Sequence, residues 1–242
     1  MDDLPVFATC PRHVRAVDFG HALVLINYRT SRVQALQPPA TSQWGATSHT
    51  GVLDAIDPAL ARRLLALGLL TPTRDPAPWP PALRARSARA SWGSTEHPAG
   101  INRPPRVALT GTLSAATALT TAFAITRRGH DSMWRTVALL TTSVARTVRP
   151  ATFEQATGAV QAVRRAGWYF PGRTACLEES VAAVLLLGAR RLGVRWCHGI
   201  ASDPIRLHAW VQTEDGADVA EPSSTCAYTP VLTIGDRHRQ PL

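Results

Sequence analysis

The 242-residue sequence contains no lysine, and all 26 of its cationic residues are arginine. The formal net charge is +9, but the arginines occur singly or in pairs and form no basic stripe interleaved with aromatic residues. Proteins that bind nucleic acid usually concentrate their cationic residues in such a stripe to neutralise phosphates. The uniform use of arginine is typical of GC-rich coding, and nucleic acid is not expected as a partner.

Cysteine pairs, an apolar leader and long aliphatic runs are also lacking. The four cysteines form no CxxC pair, which argues against a zinc knuckle and a disulfide framework. The first ten residues include two acids and no apolar secretory segment. Residues 107–126 carry no charge, but they are rich in threonine, which favours a buried helix over a membrane span. We expect a reduced, cytoplasmic protein that makes no membrane contact and holds no metal or other cofactor.

The 45% apolar content is ample for a core, and the pattern along the chain predicts two domains. Residues 1–72 alternate as three short strands and continue into two short helices, the second with Asp57 as N-cap and Pro58 at its first position. Residues 73–106 are dense in proline, arginine and serine, which is typical of a linker. Residues 107–242 begin with two or three helical segments that end near residue 167 and form the second domain.

A further helix is predicted to begin at Cys176. Apolar residues recur after it at the helical period, and the unpaired N–H groups and dipole of a helix N-terminus stabilise a thiolate. Glu178 and Glu179 in the first turn oppose that effect, so a reactive thiolate here needs a histidine partner. The other cysteines are interpreted as buried structural residues: Cys10, Cys197 and Cys226.

Beyond this helix the apolar period changes from 3.6 to 2, which predicts strands. The middle strand places His208 on the same face as Trp210 and Gln212. Asp218 and Glu221 lie in the next predicted strand or at its end and point to opposite faces, so only one of them can meet His208. A cysteine, a histidine and a carboxylate together supply the nucleophile, base and orienting group of thiol acyl-transfer chemistry.

At these positions the chain resembles the B proteins of lasso-peptide biosynthesis, which are leader peptidases. The similarity rests on "CLEES" ahead of "VAAVLLLGARRLGV", on "GIASDPIRL" and on "HAWV". The segment "ALVLINYRTSRVQAL" is similar to the PqqD-like precursor-recognition element of that family. The resemblance implies an α+β fold, with a winged-helix-like recognition element followed by a transglutaminase-like, or papain-like, protease domain.

The resemblance also implies roles for individual residues. Cys176 matches the nucleophile and His208 the general base. An aspartate just before a proline usually completes the family's triad, and Glu221 stands in that register here, with Asp218 as the competing candidate. The family often has a basic residue where this chain has Glu179. No glutamine upstream of Cys176 matches an oxyanion donor, which leaves backbone N–H groups at the helix start for that role.

The function implied is cleavage at the leader–core junction of a ribosomally made antibiotic precursor. The freed amine would be closed into a ring by a partner, an asparagine-synthetase-like cyclase, which would use any ATP required. The leader is expected to dock as an added strand against the third strand, with its side chains resting on the second of the two short helices. The residues expected to contact the leader are Val33, Gln34, Ala35, Leu36, Leu60, Leu64 and Leu67.

Two other functions remain compatible with the same residues. The chain could be a precursor-binding chaperone without catalytic activity. It could also be a thiol acyltransferase of the transglutaminase or arylamine acetyltransferase type, which passes the acyl group to an amine instead of water.

Overall fold

A computed structural model describes residues 4–85, 109–129, 131–202 and 204–235. The chain divides into two compact units, the first ending at Ala85 and the second comprising the residues that follow. Both units combine helices with strands, which confirms the prediction of a mixed α+β protein. Among the described residues, no helix has the length and apolarity needed to cross a bilayer.

The first unit is a small sheet packed against short helices. Its elements are β1 (Phe7–Thr9), β2 (Val14–Asp18), β3 (Leu23–Asn27), β4 (Arg32–Leu36), α1 (Ala40–Ser48), a 3-10 turn (Leu53–Ala55), α2 (Pro58–Ala66), β5 (Thr71–Thr73) and β6 (Leu83–Arg84). Strands β2, β3 and β4 are the three that the alternating pattern predicts, and they pair antiparallel. The sheet order is β4-β3-β2-β6, which leaves β4 at one edge.

The helix α2 begins and packs as its sequence predicts. The Asp57 side chain accepts hydrogen bonds from the N–H groups of Ala59 and Leu60 at 2.9 and 3.0 Å, which satisfies two of the unpaired donors at a helix start. The apolar face of the helix turns inward, and Leu64 is fully buried in the core of the unit. This packing fixes α2 against the same face of the sheet that carries Leu25 and Leu36.

Residues 73–85 belong to this folded unit, so the linker prediction was wrong for that part of the chain. Trp79 is buried, donates its indole N–H to the Ala8 carbonyl at 2.7 Å and packs edge-on against Trp44. The strand β6 then pairs in parallel with β2. The large apolar surface of Trp79 outweighs the proline-rich composition around it. The rest of the predicted linker, residues 86–106, lies outside the described residues.

Within the described part of the second unit, four helices pack with a three-stranded sheet. Its elements are α3 (Leu109–Thr126), α4 (Ser132–Ala145), β7 (Arg149–Pro150), α5 (Phe153–Trp168), α6 (Cys176–Ala189), β8 (Leu192–Gly193), β9 (Arg195–Ser202), β10 (Ile205–Gln212), a 3-10 turn (Ser223–Ala227) and β11 (Thr229–Ile234). The two or three helical segments predicted before residue 167 are present as the three helices α3, α4 and α5. In α3, threonine hydroxyls donate to carbonyls one turn earlier, which allows a threonine-rich segment to remain helical.

The helix α6 lies at the centre of the second unit. It packs against α3, α4, α5 and the strand β10, and Val181, Ala182, Ala183 and Val184 are all buried in succession around it. Trp196 on β9 donates its indole N–H to the Ser180 hydroxyl at 2.9 Å. These contacts hold the N-terminus of α6 in a fixed position relative to the sheet.

The sheet of the second unit differs from the prediction at its C-terminal end. Its order is β10-β9-β11, with all pairs antiparallel. The segment predicted as a strand after Gln212 forms only an isolated bridge between Gln212 and Asp218. The strand β11 was not predicted, and the register shifts between Pro230 and Leu232. A proline lacks the N–H that a regular ladder needs, which weakens the strand pattern in the sequence.

Candidate active site

Cys176 is the first residue of α6, as the sequence predicts. The helix begins there because the Glu178 carboxylate turns back and accepts the N–H of Ala175 at 3.0 Å, as in one half of a capping box. The Cys176 thiol is partly exposed, whereas Cys10 and Cys197 are buried. Cys226 is exposed, so its assignment as a buried residue was wrong.

Each of the two glutamates in the first turn of α6 is paired with its own arginine. Glu178 is buried and accepts a hydrogen bond from Arg127 Nε at 3.0 Å. Glu179 lies 3.5 Å from Arg164 Nε and accepts from the Thr174 hydroxyl at 3.3 Å. Burial raises the pKa of Glu179, and the Arg164 guanidinium offsets part of that rise. The two arginines reduce the repulsion that these acids would otherwise exert on a thiolate.

The arginine of the first pair also fixes the backbone ahead of the cysteine. Arg127 Nη2 donates to the Arg173 carbonyl at 3.1 Å, and its guanidinium lies 5.2 Å from the centre of the Phe123 ring. Phe123 in turn packs edge-on against Phe170. The end of α3 therefore holds the segment that leads into the nucleophile helix.

His208 connects the thiol to a buried carboxylate. Its Nε2 lies 2.7 Å from Glu221 Oε2, and the Cys176 side chain lies near enough to the ring to contribute to its pKa. Burial lowers the pKa of His208, but the hydrogen bonds and negative charges of Cys176 and Glu221 outweigh burial and raise it to about 9. The imidazolium form of His208 is therefore favoured at neutral pH.

The carboxylate beside His208 is Glu221 and not Asp218. The Glu221 side chain is only 5% exposed, and its Oε2 also accepts from the Thr225 hydroxyl at 3.2 Å. Asp218 Oδ1 instead accepts from Trp210 Nε1 and from Gln212 Nε2, each at 2.8 Å. Asp218 thus fixes the neighbours of His208 on the same strand face. Of the two acids, only Glu221 contacts the imidazole.

Aromatic packing holds the imidazole ring in place. Trp210 stacks on His208 with ring centres 5.6 Å apart and planes at 10°, and the Tyr228 ring centre lies 5.0 Å away. The Trp210 indole lies over Gly199, the residue directly opposite His208 on β9. A Cβ at Gly199 would lie 2.8 Å from two indole carbons and from the Thr229 carbonyl oxygen. A side chain at this position would therefore displace the indole.

We predict that Gly199→Ala lowers the turnover number about tenfold while the protein still folds, because overpacking of this kind costs about 1–3 kcal/mol and shifts Trp210 away from His208. Turnover and thermal unfolding should be measured together. The matched control is Gly158→Ala in α5, where a Cβ meets nothing within 4 Å and alanine favours the helix. Equal turnover in the two variants would contradict the prediction.

His198 lies outside this group. It is buried on β9, where its ring stacks on Trp196 with centres 5.9 Å apart. Burial lowers its pKa to about 4, so it is neutral at physiological pH. These contacts fit the structural role that the sequence indicates.

A cavity of about 100 Å³ lies beside the thiol. Cys176, Glu179, Arg164 and Glu221 line one part of it, and the rest is lined by Val160, Ser180, Ala209, Trp210 and Val211. The described residues contain no group of three or more His, Cys, Asp or Glu side chains that could hold a metal ion. A thiol, an imidazole and a carboxylate need no cofactor for acyl transfer.

An α+β unit that brings a helix-terminal thiol, a strand histidine and a buried carboxylate together has the arrangement of cysteine hydrolases and acyltransferases. One protein-family model matches part of the second unit. The model described as the transglutaminase-like superfamily matches residues 117–233, just under half of the chain. Residues 117–233 are therefore a transglutaminase-like domain, which confirms that prediction. Searches of curated proteins and of solved structures returned no match.

Several residues that contact the catalytic side chains or the glutamates beside Cys176 were not identified from the sequence, among them Arg127, Arg164, Thr225 and Tyr228. Arg127 directly follows α3, Arg164 is on α5, Thr225 is in the 3-10 turn and Tyr228 directly follows that turn. One signal was available, because two acids beside a candidate thiolate imply that cations approach from elsewhere. Composition alone could not indicate which of the many arginines approach.

Proposed function

We propose that this protein is a cysteine peptidase that removes the leader from a lasso-peptide precursor. The observation that carries the proposal is the series in which His208 is hydrogen-bonded to Glu221 at 2.7 Å and interacts with the Cys176 side chain. The transglutaminase-like domain supports a cysteine hydrolase or acyltransferase. The leader specificity is inferred from the sequence resemblance and from the open edge of the N-terminal sheet.

The proposed reaction follows from the contacts of His208. Because Nε2 faces Glu221, Nδ1 is the nitrogen left to accept the Cys176 proton. The thiolate then attacks the carbonyl carbon of the last leader residue, and backbone N–H groups at the start of α6 stabilise the oxyanion. The imidazolium returns the proton to the leaving amine as the C–N bond breaks. Water then hydrolyses the thioester, which releases the leader carboxylate and restores the thiol.

The geometry of the N-terminal sheet supports docking of the leader along β4. Phe19 N–H donates to the Ala22 carbonyl and Tyr28 N–H to the His13 carbonyl, which sets the alternation of hydrogen bonds between β2 and β3. With the β3–β4 register, the same alternation directs the N–H and C=O groups of Val33 and Ala35 outward. On the other side of the sheet, the edge of β2 is already paired with β6 of the same chain.

The side chains around this edge refine the expected contacts. Gln34 donates to the outward Ala35 carbonyl at 2.7 Å and accepts from Arg63 on α2 at 3.0 Å, so a docked peptide would take the place of the Gln34 amide. Leu60 and Leu67 are partly buried beside the core. Two expected contacts were wrong: the Leu36 and Leu64 side chains are buried in the core and cannot touch a docked leader.

We predict that Ala35→Pro raises the KM for the precursor about five- to tenfold without changing the turnover number. Proline removes one outward N–H and leaves the pairing with β3 intact, and a hydrogen bond contributes about 1 kcal/mol. Precursor cleavage at varied substrate concentration provides the measurement. Ala35→Val, which keeps the N–H, is the control and should retain the normal KM. A normal KM in the proline variant would contradict docking of the leader along β4.

The proposed partners are the precursor and an asparagine-synthetase-like cyclase. The cyclase would join the core amine that cleavage frees to a side-chain carboxylate of the same peptide. Remote binding of the leader allows the reaction site to make few specific contacts, because binding energy from distant parts of a substrate contributes to catalysis.

Mass spectrometry of the incubated precursor tests the proposed function. The precursor and cyclase are expected in reading frames beside the gene for this chain. Two fragments whose masses sum to the precursor plus one water support hydrolysis. A crosslinked product formed with loss of ammonia would instead support a transglutaminase-type acyltransferase. A precursor mass that is unchanged with this protein alone, together with a ring product that has lost one water only when this protein and the cyclase are both present, would support a chaperone.

A further inference from the structure

Arg164 on α5 makes three contacts with the acidic side of the site. Its Nη2 donates to Glu221 Oε1 at 2.8 Å, its Nη1 donates to the Ala220 carbonyl at 2.6 Å, and its Nε lies 3.5 Å from Glu179 Oε2. A planar guanidinium with several fixed donors can hold a carboxylate in one orientation, which a lysine ammonium cannot do as well.

The two oxygens of Glu221 have separate partners. Oε2 meets His208 at 2.7 Å and the Thr225 hydroxyl at 3.2 Å, while Oε1 meets Arg164. The plane of the carboxylate, and with it the direction of the bond to His208, therefore depends on the position of the guanidinium. Thr225 donates only to Oε2, so loss of Arg164 would take this donor from Oε1. The Glu221 side chain is only 5% exposed, which leaves little solvent to replace it.

Arg164 also supports the backbone turn that places Glu221. Ala220 has a φ of +54°, a left-handed conformation that is unfavourable for residues other than glycine. The hydrogen bond from Arg164 to the Ala220 carbonyl holds this turn. Arg164 thus fixes both the main chain and the side chain at the position next to His208.

We propose that Arg164 is a positioning residue that sets the orientation of Glu221, and that Glu179 completes the arrangement by holding Arg164 from the other side. The inference rests on the proposed thiol chemistry and goes beyond it, because it assigns roles to two residues outside the Cys176–His208–Glu221 series. It also gives Glu179, which replaces the basic residue usual in the related proteins, a function in this chain.

The arrangement predicts a measurable effect on the thiolate–imidazolium pair. The titratable and charged groups that face Glu221 are Arg164, Glu179 and His208, and His208 in turn faces Cys176. Without the guanidinium, Glu221 Oε1 loses its donor and the carboxylate can turn away from His208. His208 then loses the hydrogen bond and the negative charge of Glu221 that raise its pKa, so the imidazole becomes a weaker acceptor for the Cys176 proton.

The test is the rate of Cys176 alkylation by iodoacetamide as a function of pH, which needs no precursor. A Cys226→Ser background removes the exposed thiol, and peptide mass mapping verifies the site of alkylation. Arg164→Ala should lower the alkylation rate about tenfold on the acid limb of the profile, because a weaker imidazole base takes the Cys176 proton less readily. Arg164→Lys should lie between the wild type and the alanine variant. With precursor, the turnover number should fall while KM stays constant.

Arg146→Ala is the matched control, because Arg146 is an exposed arginine at the end of α4 and its loss changes the net charge equally. An unchanged acid limb in Arg164→Ala, or an equal shift in Arg146→Ala, would overturn the inference. If Arg164→Ala does not fold, the same alkylation profile is measured for Arg164→Lys and Glu179→Gln. An acid limb like that of the wild type in both variants would overturn the inference. A wild-type Cys176 that alkylates like an ordinary exposed thiol would instead contradict the proposed function.

Discussion

Replacing Cys176 with alanine is expected to abolish precursor cleavage, with a loss of at least about 10⁴-fold in turnover, because the covalent step has no alternative nucleophile. Binding of the precursor should persist, since the outward groups of Val33 and Ala35 lie in the N-terminal unit. Cleavage is measured by mass spectrometry and binding by calorimetry with the same precursor.

The control for this variant is Cys226→Ala. Cys226 is the other cysteine that the structure shows to be accessible, and it contributes no side chain to the Cys176–His208–Glu221 series. Full activity in Cys226→Ala and none in Cys176→Ala would assign the chemistry to one thiol. Cleavage that survives in Cys176→Ala would reject the cysteine mechanism and would leave the chain as a binding protein.

The pH profile of the wild type gives an independent check on His208. Its pKa is raised to about 9, above the ordinary value, so the imidazolium that protonates the leaving amine persists through neutral pH. Cleavage should therefore decline on the alkaline side only as the pH passes about 9. Alkylation of Cys176 should not decline there, because it needs the thiolate and not the proton of His208. A shared alkaline decline would indicate unfolding instead.

The sequence was sufficient for the parts of the site that depend on local periodicity. Cys176 is at the start of a helix because the helical pattern begins there, and His208 is on the face shared with Trp210 and Gln212 because side chains alternate along a strand. Each inference involves neighbours within one element. The same local reasoning identified β2, β3, β4 and the capped start of α2.

The sequence was insufficient where two elements must meet. Arg164 precedes Glu221 by 57 positions, and no local pattern relates an arginine on a helix to an acid after a strand. Likewise, Trp79 lies in a segment of linker-like composition, and its burial depends on space left between Trp44 and Ala8. Side-chain packing across elements, not local propensity, decided these cases.

The competition between Asp218 and Glu221 shows the same limit at the centre of the site. Both acids were compatible with the strand pattern, and the resemblance favoured Glu221 only by its register before a proline. The segment around them forms a bridge and a left-handed residue at Ala220 instead of a regular strand, so simple alternation could not establish which face each acid occupies. The turn allows Glu221 to reach His208 while Asp218 bonds to Trp210 and Gln212.

Glu221→Gln is expected to lower the turnover number on the order of 10³-fold, because it reverses the tautomer of His208. Arg164 donates to Oε1, so the amide oxygen of glutamine will face the guanidinium and its NH₂ group will face His208. That NH₂ donates to Nε2, which places the imidazole proton on Nδ1, the atom that must accept the thiol proton.

Asp218→Asn is the matched control for that variant. The asparagine carbonyl oxygen can still accept from Trp210 Nε1 and Gln212 Nε2, as Asp218 Oδ1 does, so the turnover number should fall no more than about threefold, the effect of weakening a charge-assisted hydrogen bond. Steady-state cleavage kinetics and the pH dependence of alkylation are measured for both variants. An equal loss in the two would mean that His208 is oriented by the Asp218–Trp210 contact as much as by Glu221. A large loss confined to Glu221→Gln would assign the orienting role to the carboxylate that contacts the imidazole.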